Sequence, residues 1–330
     1  MKAQEILLFH HLALLTSRTY VYQPFIWQHR HASLPLSAFL LGPTKYAISS
    51  ALFDQICPPD KVRHVHIDAQ PGALWTEAQR VLNTDAQCVS VDNRIFSWAF
   101  LASDGTHSIW PSFQTYLATH FKWPVHIQNL AERTYSALNL RSPSTSQGEP
   151  YIAVHLRRGD FESHCDFLAQ SASGFTTWAT LPVFQDSLFP PSLDARNKSS
   201  IIEHCYPSLY RILDAIDFQI RSRPHVRAVY ALHDGAWDHL NVYVQLYKLE
   251  YALKSSERAQ TAGWSGAMRL VTHSGMVPVS WGERDFKVAV DIEIARHAAV
   301  FIGNGYSSLS STIMALRLAD GGNARDIGLF

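Results

Sequence analysis

Apolar and polar residues in the second half of the chain follow a repeated order, in which a strand pattern is followed by a helix pattern. Short apolar runs predict buried strands at residues 151–156, 227–232, 268–272 and 300–302. Amphipathic periodicity predicts helices at residues 208–220, 237–253, 286–298 and 307–318. This alternation is typical of a parallel sheet in a Rossmann-like lobe, where ligands bind at the carboxyl ends of the strands.

The first half predicts a mixed α/β region with more loops. Helices are expected at 3–15, 75–82 and 111–138, with a break at Pro124, and strands at 19–22 and 62–67. Residues 24–59 are expected to be irregular. The stretch 141–150 is polar and contains two prolines and a glycine, which favours a linker. We therefore expect an N-terminal lobe over residues 1–145 and a C-terminal lobe over 146–330.

Composition limits the classes of partner. Of the 330 residues 47% are hydrophobic, and 28 basic side chains balance 28 acidic ones. The net charge therefore gives no reason to expect binding to nucleic acid or to an anionic membrane. Any phosphate site must be formed by a local group of residues. The apolar N-terminal segment contains His10 and His11 and lacks a small-residue cleavage site, so it favours an amphipathic helix over a signal peptide. No apolar run reaches about eighteen residues, so no membrane span is expected within this chain.

The four cysteines leave the redox compartment open. They stand at irregular spacings without a C-x-x-C pair, so a cysteine zinc site is not expected. Two disulfides in an oxidising lumen and buried thiols in the cytosol both remain possible. The tripeptide Asn197-Lys198-Ser199 is a glycosylation acceptor pattern, which leans toward the secretory route. His64 and His66 share a predicted strand face, but no third metal ligand is evident.

The strand at 151–156 runs into a cationic turn. His155 and Arg157 are expected on one side of this strand, while Arg158 points to the other and pairs with Asp160 or another acid. The planar fork of an arginine binds diphosphate oxygens bidentately. Surface salt bridges for both arginines are the alternative. An adhesion role for Arg158-Gly159-Asp160 is not favoured, because the tripeptide abuts a core strand.

A second group of polar residues follows the strand at 300–302. Gly303, Asn304 and Gly305 predict a tight turn, and Ser307 and Ser308 lie where the last helix begins. Free backbone N–H groups and serine hydroxyls at a helix start form an anion site, although the serines also suit simple N-capping. Together with the arginine, this turn favours a nucleotide diphosphate. No P-loop and no G-x-G-x-x-G after a strand are present.

At these residues the chain resembles the GDP-fucose protein O-fucosyltransferase family. The matching stretches are 155–161 and 290–308, and stretches 15–21 and 36–43 are similar to fungal members. The resemblance implies an α/β fold of GT-B type, with two Rossmann-like lobes facing across a cleft. It also implies that the N-terminal lobe is on the acceptor side and that the C-terminal lobe binds the nucleotide sugar.

The resemblance implies inverting transfer of fucose from GDP-fucose to a hydroxyl of a protein Ser/Thr or a glycan, without an essential metal or other cofactor. Arg157 would grip the diphosphate and assist its departure, and Asp291 would face the guanine. The implied donor-binding residues are His155, Arg157, Asp291, Gly303, Asn304, Ser307, Ser308 and Leu309. Leu309 stands where family members often carry an aromatic residue, which places a stacking contact in question.

Three further expectations follow from the resemblance. The chain starts at Met1, about where a glycine- and asparagine-rich family loop ends, so this loop and its acceptor-side residues are expected to be missing. Cys165 and Cys205 would form a disulfide around the loop that holds Asn197. The protein would reside in the lumen of the ER or Golgi.

Several alternatives stay open. The chain could use another nucleotide sugar, or be a catalytically impaired relative that still binds GDP. No catalytic base is identified. The carboxylates considered for that role are Glu5, Asp160, Glu283 and Asp285, each of which also suits an ordinary surface position.

Overall fold

The computed structural model describes residues 2–23, 25–26, 33–159, 161–187, 192–234 and 240–330. The chain divides into two compact units, unit 1 (Met1–Ile127) and unit 2 (Gln128–Phe330). The polar stretch 141–150 lies in unit 2 and folds back on itself, because the Arg141 N–H donates to the Glu149 carbonyl at 2.9 Å. The lobe boundary at residue 145 stays a prediction.

Unit 1 consists of helices and short strand pairs. Its helices are α1 (Lys2–Leu15), α2 (Ser50–Ile56), α3 (Pro71–Leu82), α4 (Trp98–Leu101) and α5 (Trp110–His120), and α6 (Val125–Ala137) crosses into unit 2. Its strands are β1 (Val21–Tyr22), β2 (Phe25–Ile26), β3 (Ser33–Leu34), β4 (Ile48–Ser49), β5 (Val62–Val65) and β6 (Cys88–Val91). β1 pairs with β4 and β5 with β6 in parallel, while β2 and β3 are antiparallel.

Two predictions for unit 1, the helix break at Pro124 and the irregular stretch 24–59, can be compared with the structure. The break at Pro124 is confirmed, since α5 ends at His120 and α6 begins at Val125. The expectation that 24–59 is irregular is wrong at α2. This helix begins because the Ser49 side chain accepts the Leu52 N–H at 3.3 Å, which satisfies one of the free donors of the first turn.

Unit 2 contains one five-stranded parallel sheet. Its strands are β7 (Tyr151–Leu156), β8 (Ala228–His233), β9 (Leu270–His273), β10 (Val300–Gly303) and β11 (Ile327–Leu329), in the order β11-β10-β7-β8-β9. Its helices are α7 (Phe161–Gln170), α8 (Lys198–Cys205), α9 (Leu209–Arg221), α10 (Leu240–Leu253), α11 (Ser256–Thr261), α12 (Lys287–Arg296) and α13 (Ser308–Ala319). The predicted parallel sheet is confirmed. The helix predicted at 237–253 corresponds to α10, and its predicted start at residue 237 lies outside the described residues.

The strand order places a topological switch point between β7 and β10. Chain progression runs from β7 to β8 and β9 on one side, and from β10 to β11 on the other. Val154 of β7 pairs with Ile302 of β10, so the carboxyl ends of these two strands lie side by side. In open parallel sheets such a point is where ligands bind.

The sheet is buried because helices cover it. Every residue of β7, β8, β10 and β11 is buried. Ile152, Val154 and Leu156 pack in one cluster with residues of α9 and α10, whereas the Tyr151 hydroxyl on the other face donates to the Ile294 carbonyl of α12. Alternate residues of β7 therefore face different helices.

Each unit contains one disulfide. Cys57 bonds to Cys88 in unit 1, and Cys165 to Cys205 in unit 2. The pairing of Cys165 with Cys205 that the resemblance implied is confirmed. Among the described residues, no helix combines the length and apolar character that crossing a bilayer requires.

Candidate active site

The Arg157 guanidinium lies just beyond β7 and is held by Asp234, which follows β8. Arg157 Nη1 is 2.7 Å from Asp234 Oδ2, and about a third of the Arg157 side chain (33%) is exposed. Asp234 Oδ1 accepts the backbone N–H groups of Arg158 at 2.7 Å and Gly159 at 2.9 Å. Burial of Asp234 opposes its ionisation, but these hydrogen bonds and the Arg157 charge outweigh it and lower its pKa. An ionised Asp234 thus orients Arg157.

His155 is the last residue but one of β7 and lies two residues before Arg157. Its Nδ1 is 2.7 Å from Ser310 Oγ of α13, and only 1% of the residue is exposed. Burial lowers the pKa of His155 to about 4, so the ring is neutral at pH 7. Ser310 Oγ also accepts the Asn304 N–H at 2.9 Å, which leaves its own proton to donate to Nδ1. This arrangement favours a proton on Nε2 of His155.

Arg158 points away from His155, as the strand alternation predicts. Its Nη2 donates to the Pro207 carbonyl ahead of α9, and its guanidinium lies 4.2 Å from the centroid of the Tyr206 ring. The acid suggested as its partner, Asp160, lies outside the described residues. Arg157 and Arg158 therefore occupy different surroundings in spite of their adjacency.

The turn from β10 into α13 is held by its own side chains. Asn304 Nδ2 donates to the Cys205 carbonyl at 2.6 Å, and Asn304 Oδ1 accepts the Tyr306 N–H at 2.9 Å. Gly305 is required because a Cβ there would lie 2.4 Å from Cδ1 of Phe175. These contacts fix the position at which α13 begins.

Ser307 and Ser308 stand at the start of α13. Ser307 is the N-cap residue, and its side chain makes no capping hydrogen bond. Leu309, in the first turn, is half-buried. The twelve-residue helix directs the N–H groups of its first turn and a partial positive charge toward this end. Because Gly303 ends β10 and Leu156 ends the neighbouring β7, this helix start and the Arg157 guanidinium lie at the same edge of the sheet.

Asp291 of α12 is buried and engaged on both carboxylate oxygens. Oδ1 accepts from the Tyr230 hydroxyl of β8, and Oδ2 accepts from Ser274 Oγ at 3.0 Å. Burial raises the pKa of Asp291 to about 6. Ser274 Oγ in turn accepts the His233 N–H at 3.1 Å, so Asp291 supports the ends of β8 and β9. The guanine contact of Asp291 stays a prediction.

Sequence reasoning missed several residues of this edge. Asp234 was visible only as part of a strand end, and Ser310 only as one of several helix serines. His233 and His273 also lie here, with Nε2 of the first 3.1 Å from Nδ1 of the second. The available signal was that polar residues directly follow two predicted neighbouring strands, since such residues meet at one sheet edge.

Two of the carboxylates considered as a base, Glu283 and Glu5, have structural partners. Glu283 Oε2 accepts from Arg133 at 2.7 Å and from the Ser280 N–H at 2.8 Å, and these bonds lower its pKa to about 2. Glu5 lies 3.5 Å from Arg94. Asp160 is outside the described residues. Within the described part of the chain, no cluster of three or more His, Cys, Asp or Glu could hold a metal ion.

Comparison with known proteins places these features in a family. A family model described as GDP-fucose protein O-fucosyltransferase matches residues 49–319, most of the chain. The chain belongs to this family. The expected resemblance is thereby confirmed, and the protein is a glycosyltransferase of the fucosyltransferase type. No curated protein sequence matches the chain.

Solved structures share the fold of this family member. A crystal structure of POFUT1 in complex with GDP-fucose has a TM-score of 0.56 at 16% identity, covering 99% of this chain and 92% of that chain. POFUT1 in complex with GDP (high-resolution dataset) gives 0.56 at 16%, with 99% and 93% covered, and its apo-form gives 0.53 at 14%, with 99% and 92% covered. The α/β fold of GT-B type is confirmed.

Proposed function

We propose that this chain transfers fucose from GDP-fucose to a hydroxyl acceptor, with inversion at the anomeric carbon and without an essential metal. Family membership supports fucosyl transfer, and POFUT1 structures of the same fold hold GDP-fucose and GDP. The observation that carries the proposal is the Arg157 guanidinium, oriented by Asp234 at the edge where α13 begins.

Arg157 supplies the charge that transfer requires. The acceptor oxygen forms a bond to the anomeric carbon on the face opposite GDP, and the bond from that carbon to the β-phosphate oxygen breaks. Negative charge then grows on the diphosphate, where a bidentate guanidinium stabilises it more than it stabilises the intact donor. The acceptor proton passes to a base that the described residues do not identify.

The surrounding residues position the donor. The hydroxyls of Ser307 and Ser308, with the positive end of α13, take phosphate and ribose oxygens. Gly303 and Asn304 hold the turn that sets this start, and neutral His155 offers an Nε2 proton. Asp291 contacts the guanine or supports the strands that do, and Leu309 flanks the donor in place of a stacking ring.

The compartment proposed is the lumen of the ER or Golgi, with a protein Ser/Thr or a glycan as acceptor. Two disulfides support an oxidising environment, since structural disulfides are rare in cytosolic proteins. No observation favours one acceptor over the other.

Binding and product analysis test this function. We expect GDP and GDP-fucose to raise the melting temperature more than GDP-mannose or UDP-sugars, and transfer to persist in EDTA. The anomeric configuration of the product, read by NMR, should be inverted. Absence of any shift with millimolar GDP would contradict the donor assignment. Preference for another sugar nucleotide, or GDP binding without transfer or donor hydrolysis, would replace it with one of the alternatives.

Substitution of the two neighbouring arginines separates their roles. Arg157→Ala should lower kcat by at least about a hundredfold without unfolding the protein, because transition-state charge loses its partner. Arg157→Lys should restore little, since an ammonium cannot bind in the forked geometry. Arg158→Ala should mainly lower the melting temperature. Equal losses of kcat in Arg157→Ala and Arg158→Ala, with normal folding of both, would contradict the assignment.

A further inference from the structure

A cavity lies in unit 2, on the face of the sheet that α9 and α10 cover. Its volume is about 390 Å³, within the usual range of small-molecule sites of about 300–1,000 Å³. Leu156, Leu209, Ile212 and Leu249 line its apolar walls. His155 faces α13 on the opposite side of β7, so this cavity is separate from the candidate active site.

Arg158 lies in the wall of this cavity and is a largely buried cation. The residue is only 5% exposed, and its Nε has no hydrogen-bond partner among the described residues. Nη2 is satisfied by the Pro207 carbonyl, and the Tyr206 ring covers one face of the guanidinium. Little water screens a cation in this position, so an anionic head in the cavity would pair with it more strongly than with an exposed side chain.

The other charges around the cavity also favour an anion. Lys248 of α10 lines the cavity and is exposed, and within the described part of the chain no ion pair involves it. Among the described residues of the lining, Glu203 is the acidic one, and its Oε1 accepts from the Ser208 hydroxyl at 2.8 Å and N–H at 3.3 Å. The described lining thus carries two cations and one carboxylate, which leaves one positive charge in excess.

We propose that this cavity binds a small amphipathic anion as an accessory ligand of the protein. Its carboxylate or phosphate head pairs with Arg158 and Lys248, and its apolar body packs against Leu209, Ile212 and Leu249. The site is independent of fucosyl transfer, because neither cation belongs to the donor-binding set.

Matched aromatic probes test the charge preference. Benzoate and phenyl phosphate carry an anionic head. Benzyl alcohol has a similar ring with a neutral head, and benzylamine has a similar ring with a cationic head. In ligand-observed NMR titrations of the full chain, we expect the anions to bind with millimolar Kd and the other two at least about fivefold more weakly. Saturating GDP should not displace them. Preference for either anionic head supports the proposal and identifies that head. Equal binding of all four probes, no binding of any, or displacement by GDP would overturn it.

Three substitutions locate the site. Lys248→Met should weaken benzoate binding about two- to fivefold, and Arg158→Met at least about tenfold, because the buried cation is less screened by water. Lys254→Met is the matched control, since Lys254 directly follows α10, pairs with Glu250 at 2.7 Å and does not line the cavity. If Arg158→Met does not fold, the comparison of the four probes and of the two lysine variants still tests whether an anion binds in this cavity. Equal effects of Lys248→Met and Lys254→Met would refute the location.

Discussion

At the residue scale, Asp291 links burial to pH dependence. Its carboxylate is buried between Tyr230 and Ser274, and burial raises its pKa from 3.8 to about 6. Between these two pH values the folded chain binds a proton that the unfolded chain does not. The contribution of Asp291 to the free energy of unfolding is therefore fully present below about pH 4 and is lost as pH rises through about 6.

Asp291→Asn should remove this pH dependence. Relative to wild type, the variant should gain about 2 kcal/mol of stability on going from pH 4.5 to pH 7.5, because the buried charge is no longer formed. Urea unfolding at the two pH values measures the difference. Asp60→Asn, on the surface of unit 1, is the control. A variant whose stability difference from wild type is the same at both pH values would contradict the linkage.

Gly305 offers a second test at this scale. A methyl group at this position would meet the Phe175 ring, whereas one at Gly174 would meet nothing within 4 Å. Gly305→Ala should lower the free energy of unfolding by about 1–3 kcal/mol and weaken GDP binding, because the start of α13 must move. Gly174→Ala should change stability by less than about 0.5 kcal/mol. Thermal unfolding and GDP titration report both effects, and equal behaviour of the two variants would be the contrary result.

At the scale of elements, α1 is held in unit 1 by buried histidines. His10 Nδ1 lies 2.7 Å from the Tyr116 hydroxyl, and His11 Nε2 lies 3.0 Å from Ser112 Oγ, both on α5. Burial lowers the pKa of each histidine to about 4. Their contribution to stability is present above about pH 6.5 and is lost as pH falls through about 4, the opposite sign to that of Asp291.

The packing of α1 should therefore loosen in acid. Hydrogen-exchange protection of α1, corrected for the intrinsic effect of pH, should fall between pH 7 and pH 4.5. In His10→Gln/His11→Gln the fall should be smaller, since no imidazole remains to be protonated. His64→Gln, at a largely exposed position, is the control. Protection of wild-type α1 that does not change with pH would show that other groups control this contact.

At the scale of the whole molecule, each compact unit carries its own covalent constraint. The disulfide of unit 1 joins residues 31 positions apart, and that of unit 2 joins residues 40 apart. Closing loops of this length reduces the entropy of the unfolded chain by an amount worth about 3–4 kcal/mol. The effect belongs to the unit that contains the loop.

Removing one disulfide should therefore weaken one unit. Cys57→Ser/Cys88→Ser should increase hydrogen exchange in α3 and leave exchange in α9 unchanged, while Cys165→Ser/Cys205→Ser should do the reverse. The second pair should also weaken GDP binding, because the Cys205 carbonyl holds Asn304. Equal loss of protection in both units from either pair would show that they unfold together.

The sequence by itself determined the features that depend on local spacing. Apolar runs of strand length, helical periodicity and the break at Pro124 need only neighbouring residues, so the parallel character of the sheet and the elements β7 to β10, α9, α10, α12 and α13 were predictable, whereas β11, α7, α8 and α11 were missed. The cationic end of β7 and the polar start of α13 were visible for the same reason, and they carried the family resemblance. Helix α2 was missed because its N-cap is a single serine in a loop-like stretch.

Only the tertiary structure decided which distant groups meet. The strand order brought Asp234 to Arg157 and Ser310 to His155, and it turned Arg158 toward a different cavity. Burial then set the pKa of Asp291 and of the histidines. Such pairings depend on how the sheet is ordered and closed by loops, and on the loss of water around each group. Neither is encoded in the spacing of residues along a strand or a helix.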